Sequence, residues 1–166
     1  MVEFEVTHLA AGGAGVARAP DRRVVLCEGS LPGVGVLGGS LASRTDGATL
    51  AVVEANPVAA ADAVHNLGDL GGSVRVGEVA ALADDLPGAD IVIADPPRAG
   101  LGPSAARAVA SIGASVVVLI SCDPASLARD TRLLTAAGYD LGGVEVVDAF
   151  PSTFHVETVS RFRAAR

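Results

Sequence analysis

The sequence predicts an α/β domain: a mostly parallel sheet covered by helices on both faces, with short β-strands ahead of it and an antiparallel strand pair at its end. Two observations predict this. From about Leu31 onward, apolar runs of strand length alternate with stretches of helical spacing. Those runs are almost continuously apolar, as strands buried on both faces are.

Residues 1–30 read differently. Alternating residues from Val2 to Leu9, the break at Gly12, Gly13 and Gly15, and the run Arg23 to Cys27 suggest short antiparallel strands joined by turns. The α/β pattern then sets the division into a β segment, 1–30, and a main domain, 31–166. Thr49 to Glu54 is an apolar strand ending in an acid, and Pro57 to Leu67 follows with Ala60, Ala61, Val64 and Leu67 at helical spacing. Ser73 to Val79 is a short strand. Asp90 to Asp95 is a buried strand stopped by Pro96 and Pro97, since proline cannot continue a central strand. An Ala-rich helix spans Ser104 to Ile112, and the most apolar strand spans Ser115 to Ile120. A helix from Ala125 to Ala137 closes at Gly138. Val144 to Phe150 and Val156 to Phe162 are close enough to pair antiparallel.

The chain has 166 residues, half of them hydrophobic, with 12 basic and 19 acidic side chains and a net charge of −7. That composition excludes a disordered polar chain and suits one domain with a real core. Apolar runs such as Val116 to Ile120 are far too short to span a bilayer. No basic stretch followed by an apolar one opens the sequence, so a cytoplasmic location without membrane attachment is expected. The acidic balance argues against non-specific coating of nucleic acid, which depends on Lys and Arg neutralising phosphates. All 12 basic residues are Arg, and the sequence contains no Lys, Gln or Trp. The two cysteines form no pattern expected of a disulfide framework or a metal site.

In parallel α/β sheets, ligands bind beyond the carboxyl ends of the strands. That rule selects Glu54, the run Asp95 to Arg98, and the run Ser121 to Pro124. The turn through Gly33 and Gly35, followed about 20 residues later by Glu54, has the order of a nucleotide site in which ribose hydroxyls bond a carboxylate. A tight turn plus a surface glutamate fits it equally well. Asp95 can accept hydrogen bonds from an N–H of a base, and Arg98 can hold an anion or steer a base; alternatively, Asp95 caps the next helix. Cys122 stands just before a helix start, where a dipole favours the thiolate of a nucleophile, although a free Cys is more often a small buried apolar residue. His155 and Glu157 share a face at the opening of the last strand and either could act as a base; a solvated edge is the plain alternative.

Three ordered segments carry a resemblance: Asp95 to Leu101, Ser121 to Asp130, and Asp148 to Glu157. Over these the sequence resembles the class I RNA 5-methyluridine methyltransferases, which have a Rossmann-like sheet and use S-adenosylmethionine. The Gly33 turn and Val53 to Pro57 resemble that family's cofactor motifs, and residues 2–36 resemble the start of its small RNA-binding TRAM barrel. The resemblance implies that Cys122 is a nucleophile adding to C6 of uracil and that Glu157 removes the C5 proton. It further implies that Leu31, Gly33, Gly35, Glu54 and Asp95 contact the cofactor, that Arg98 and His155 contact substrate, and that the partner is rRNA or tRNA. Neither a metal nor an iron–sulfur cluster is implied. Family members carry a central segment with a cofactor-binding Gln between the barrel and the glycine turn; this sequence has neither. A catalytically silent relative that binds RNA or a protein partner is the alternative.

Overall fold

The computed structural model describes residues 6–9, 15–17, 24–28, 39–40, 47–149 and 156–165. A hairpin of β1 (Val6–Leu9) and β2 (Gly15–Ala17) pairs antiparallel, as expected. Seven further strands form one sheet: β3 (Val24–Glu28), β4 (Leu50–Glu54), β5 (Ser73–Val76), β6 (Ile91–Asp95), β7 (Val116–Ser121), β8 (Tyr139–Val147) and β9 (Glu157–Ala164), in the spatial order β5-β4-β3-β6-β7-β9-β8. The strands from β5 to β7 are parallel; β9 runs antiparallel between β7 and β8.

One expectation is overturned. Val24–Glu28 is not an antiparallel strand of the N-terminal segment: it lies parallel between β4 and β6, near the middle of the main sheet. The physical reason is its composition, because a run of Val, Val, Leu and Cys suits a position flanked by strands on both sides better than a half-solvated hairpin.

The four helices among the described residues are α1 (Pro57–Leu67), α2 (Val79–Leu82), α3 (Gly102–Ser111) and α4 (Pro124–Ala136). Two start at identifiable caps. Asn56 Oδ1 accepts from Val58 N at 2.9 Å and Ala59 N at 3.4 Å, and Asp123 Oδ2 accepts from Ser126 N at 2.8 Å, each followed by a proline in the first turn.

Side chains alternate across the sheet and build two cores. Leu50, Val52, Ile91, Ile93, Val116 and Ile120 pack with Ala63 and Leu67 of α1. On the opposite face Val92, Ala94, Val117, Leu119 and Phe162 pack with Val109 of α3 and Leu134 of α4. Burial on both faces accounts for the near-continuous apolar strands, and fully buried Leu119 and Phe162 each contribute about 1.5 to 3 kcal/mol of hydrophobic stabilisation.

The strand expected from Val144 starts earlier, at Tyr139, whose side chain is buried and donates from Oη to Ala114 O at 2.8 Å. The strand expected to reach Val79 stops at Val76, where Gly77 turns the chain into α2. No helix of the described residues is long and apolar enough to cross a membrane.

Candidate active site

The register of the central strands brings three acids into line. Glu54 ends β4 opposite Glu28, and Glu28 ends β3 opposite Asp95, the last residue of β6. Glu54 and Asp95 were anticipated; Glu28 was not. The signal was present, since Val24–Glu28 has the same pattern of an apolar strand ending in an acid as Leu50–Glu54 and Ile91–Asp95.

Glu54 is 1% exposed. Its Oε1 accepts from the backbone N–H of Asn56 at 2.7 Å, whereas Oε2 is buried without a partner among the described residues. A buried carboxylate oxygen left open is costly unless something donates to it, and a ribose hydroxyl is such a donor. Among the segments that follow β4, β5 and β6 lies a cleft of about 130 Å³ lined by Val53 and Ala55, the sequence neighbours of Glu54, and by Gly77, Glu78, Pro97 and Leu101 among others. The carboxylate and cleft together fit a nucleoside-bearing cofactor.

On the other side of Asp95, β7 and β9 hold the second pair. Their antiparallel register ends at Ser121 opposite Thr158, fastened by a hydrogen bond from Thr158 Oγ1 to Ser121 O at 2.9 Å. Cys122 follows Ser121 and Glu157 precedes Thr158, so the two residues flank the same end of the antiparallel register. Strand alternation also places them on one face. Glu54, Asp95, Cys122 and Glu157 continue the rows of Val52, Ile93, Ile120 and Val159, all of which pack on the α1 side.

The electrostatics of this end of the sheet are mutual. Burial pushes the Cys122 thiol above its usual range, and the Glu157 carboxylate and, more weakly, Asp95 add to this; its own backbone N–H and the Arg98 guanidinium act against them. Burial likewise pushes the Glu157 carboxyl up, which makes it a stronger proton acceptor than an exposed glutamate. Asp123 is held below the usual carboxylate range by the Ser126 N–H it caps. At the start of α3, Leu101 N and Gly102 N donate to Asp130 of α4. Arg98 is exposed in the loop after β6. Leu31, Gly33, Gly35 and His155 lie outside the described residues.

Residues 83–162, which include Asp95, Arg98, Cys122 and Glu157, match the family model described as tRNA (Uracil-5-)-methyltransferase. Over this segment the chain belongs to the tRNA (uracil-5-)-methyltransferase family. Similar proteins include an uncharacterized RNA methyltransferase of Bifidobacterium longum, 45% identical over 101 residues, covering 58% of this chain and 23% of that protein. Another from Streptomyces avermitilis is 37% identical over 133 residues, covering 77% of this chain and 30% of the relative. The chain thus spans about a sixth to a third of the length of curated relatives it matches.

Among solved structures, the tRNA (uracil-54, C5)-methyltransferase of Pyrococcus abyssi in complex with S-adenosyl-L-homocysteine superimposes with a TM-score of 0.72 at 24% identity, covering 97% of this chain and 44% of that one. A TehB-like SAM-dependent methyltransferase from Corynebacterium glutamicum gives 0.64 at 13% identity, with 88% and 82% covered. At these identities the likeness establishes the fold alone: a class I methyltransferase-like α/β sheet.

Proposed function

We propose that this chain transfers a methyl group from S-adenosylmethionine to C5 of a uridine in rRNA or tRNA, with Cys122 as nucleophile and Glu157 as base. The observation that supports the reading is that Glu157 acts electrostatically on the Cys122 thiol, both residues standing next to the Ser121–Thr158 pair that ends the β7–β9 register. C5 of uracil is a weak nucleophile until C6 is attacked, so the chemistry needs a thiolate on one side of the ring and a proton acceptor within reach of C5.

The Cys122 sulfur forms a bond to C6, and the electrons of the C5–C6 double bond pass to the ring as an enolate. When bound, S-adenosylmethionine supplies the electrophilic methyl that C5 takes up. Glu157 then removes the C5 proton, the double bond re-forms, and the C6–sulfur bond breaks to return Cys122 as thiolate. Arg98 balances charge beside the thiol, and Asp95 accepts from the base or the cofactor where the two meet.

For the cofactor, Glu54 holds a ribose through its open Oε2, with the adjoining cleft taking the base; Leu31, Gly33 and Gly35 belong to the same proposed site. His155 is assigned to substrate. The β1–β2 hairpin is the part of residues 1–30 left to contact RNA, since β3 belongs to the sheet.

Methyl transfer by the wild type and by Cys122→Ala tests the proposal. Cys122→Ala abolishes both turnover and the covalent RNA adduct, whereas Glu157→Gln methylates once and accumulates the adduct, because the C5 proton stays in place. A wild-type rate in Cys122→Ala rejects the mechanism. A wild-type chain that binds RNA without binding S-adenosylmethionine in calorimetry would instead be the silent relative.

A further inference from the structure

The loop that leaves β6 is fastened to α4 by backbone groups on one side and two adjacent side chains on the other. Gly100 N donates to Pro97 O at 2.6 Å, closing a tight turn that contains Arg98. Leu101 N and Gly102 N donate to Asp130 Oδ2 and Oδ1 at 2.7 and 3.1 Å. Arg129 donates to Asp130 Oδ1 from Nε at 2.9 Å and from Nη2 at 2.8 Å, and Nη2 also donates to Ala99 O at 2.6 Å. Asp130 is fully buried. Leu101, the residue at the cap position of α3, makes no side-chain capping bond, so a carboxylate from another helix does that work.

The fastening joins the loop that carries Arg98 to α4, the helix whose first residues follow Cys122. Ala99, whose carbonyl Arg129 holds, follows Arg98; Asp123, the cap of α4, follows Cys122. We propose that Asp130, supported by Arg129, is a positioning residue that fixes the Arg98 guanidinium relative to the Cys122 sulfur. Asp130 touches neither substrate nor cofactor. It makes the arginine-bearing loop and the cysteine-bearing helix start move as one body.

The groups that set the charge around Cys122 are Glu157 from β9, Asp95 from the end of β6, and Arg98 from its loop. Only Arg98 favours the thiolate among these side chains, so its displacement disfavours it. This inference rests on the assignment of Cys122 as nucleophile, yet its test reads the thiol alone and stands whether or not the chain methylates RNA.

The test is the pH dependence of Cys122 alkylation in the full chain carrying Cys27→Ser, which leaves one thiol to report. Arg98→Gln shifts the midpoint upward. Asp130→Asn shifts it upward too, although loss of a negative charge by itself acts in the opposite direction, and Asp130→Asn combined with Arg98→Gln shifts it no further than Arg98→Gln alone. Arg129→Gln, made at a half-exposed side chain, removes the bond to Ala99 and gives an upward shift that is likewise absorbed in the Arg98→Gln background, which keeps the test open if Asp130→Asn does not fold. The proposal is overturned if Arg98→Gln leaves the midpoint in place, if the Asp130 and Arg129 variants leave it in place, or if their shifts add fully to that of Arg98→Gln.

Discussion

Thr158 donates its hydroxyl to the carbonyl oxygen of Ser121 at 2.9 Å across the β7–β9 ladder, on the last residue pair before Cys122 and Glu157. Both residues are buried, so the bond is shielded from water. A ladder pinned at its end cannot fray, and the thiol and carboxylate one step beyond keep their places.

Thr158→Val keeps the shape and removes the donor. It lowers stability by about 1 kcal/mol, the net worth of such a bond, which moves the thermal midpoint down by roughly 2 to 4 °C for a chain of this size. Methyl transfer falls by more than the loss of folded protein at the assay temperature, as parallel melting and rate measurements show.

Glu157 links stability to pH. Burial raises its folded pKa above the unfolded value, so through the interval from the ordinary glutamate range upward the native state holds the extra proton. Stability therefore falls as pH rises through that interval. Glu157→Gln removes the effect: its thermal midpoint exceeds that of the wild type at pH 8 and matches it at pH 4. Because the carboxylate also raises the Cys122 thiol, the same variant lowers the midpoint of Cys122 alkylation.

Gly100 and Gly113 share a φ of +75° and differ in their surroundings. A Cβ on Gly113 meets nothing within 4 Å, whereas on Gly100 it would overlap Asp130 Oδ2, approach Arg129 Nη2 to 2.6 Å and Ser126 Cβ to 2.9 Å. Gly113→Ala costs about 1 to 2 kcal/mol for the left-handed backbone. Gly100→Ala costs a further 1 to 3 kcal/mol or so, because close-packed neighbours must shift. Denaturant titration of the two variants isolates that difference.

Glu54→Gln keeps an acceptor for Asn56 N and removes the charge from the open oxygen. If that oxygen receives a ribose hydroxyl, affinity for S-adenosylmethionine drops roughly tenfold or more, as expected for a hydrogen bond to a charged group. Calorimetry on the wild type and the variant checks this; equal affinities would remove Glu54 from the cofactor site.

Much of the sheet was legible because its strands are buried on both faces and so stand out as apolar runs; Leu50–Glu54, Ile91–Asp95 and Val116–Ser121 fall within a residue or two of their expected limits. β3 carried the same signal, but its glycine-broken surroundings favoured a hairpin. The first half of β8 was hidden by Gly142 and Gly143, which weaken a strand pattern and sit at an irregularity in the pairing with β9. At the site, Glu54, Asp95 and Cys122 were marked by strand ends, a local feature. The pairing of Cys122 with Glu157 came from a family likeness, since register between distant strands has no local trace. The Asp130 cap of α3 was invisible for the same reason, its partners lying 28 and 29 residues away along the chain.

The place of β3 bears on how this protein can be cut. The stretch that follows the N-terminal hairpin is also the seam joining β4 to β6. A gene trimmed to begin at Leu31 would therefore encode no tidy catalytic module but two half-sheets, each with a raw inner margin of unsatisfied amides and carbonyls, and such margins clump.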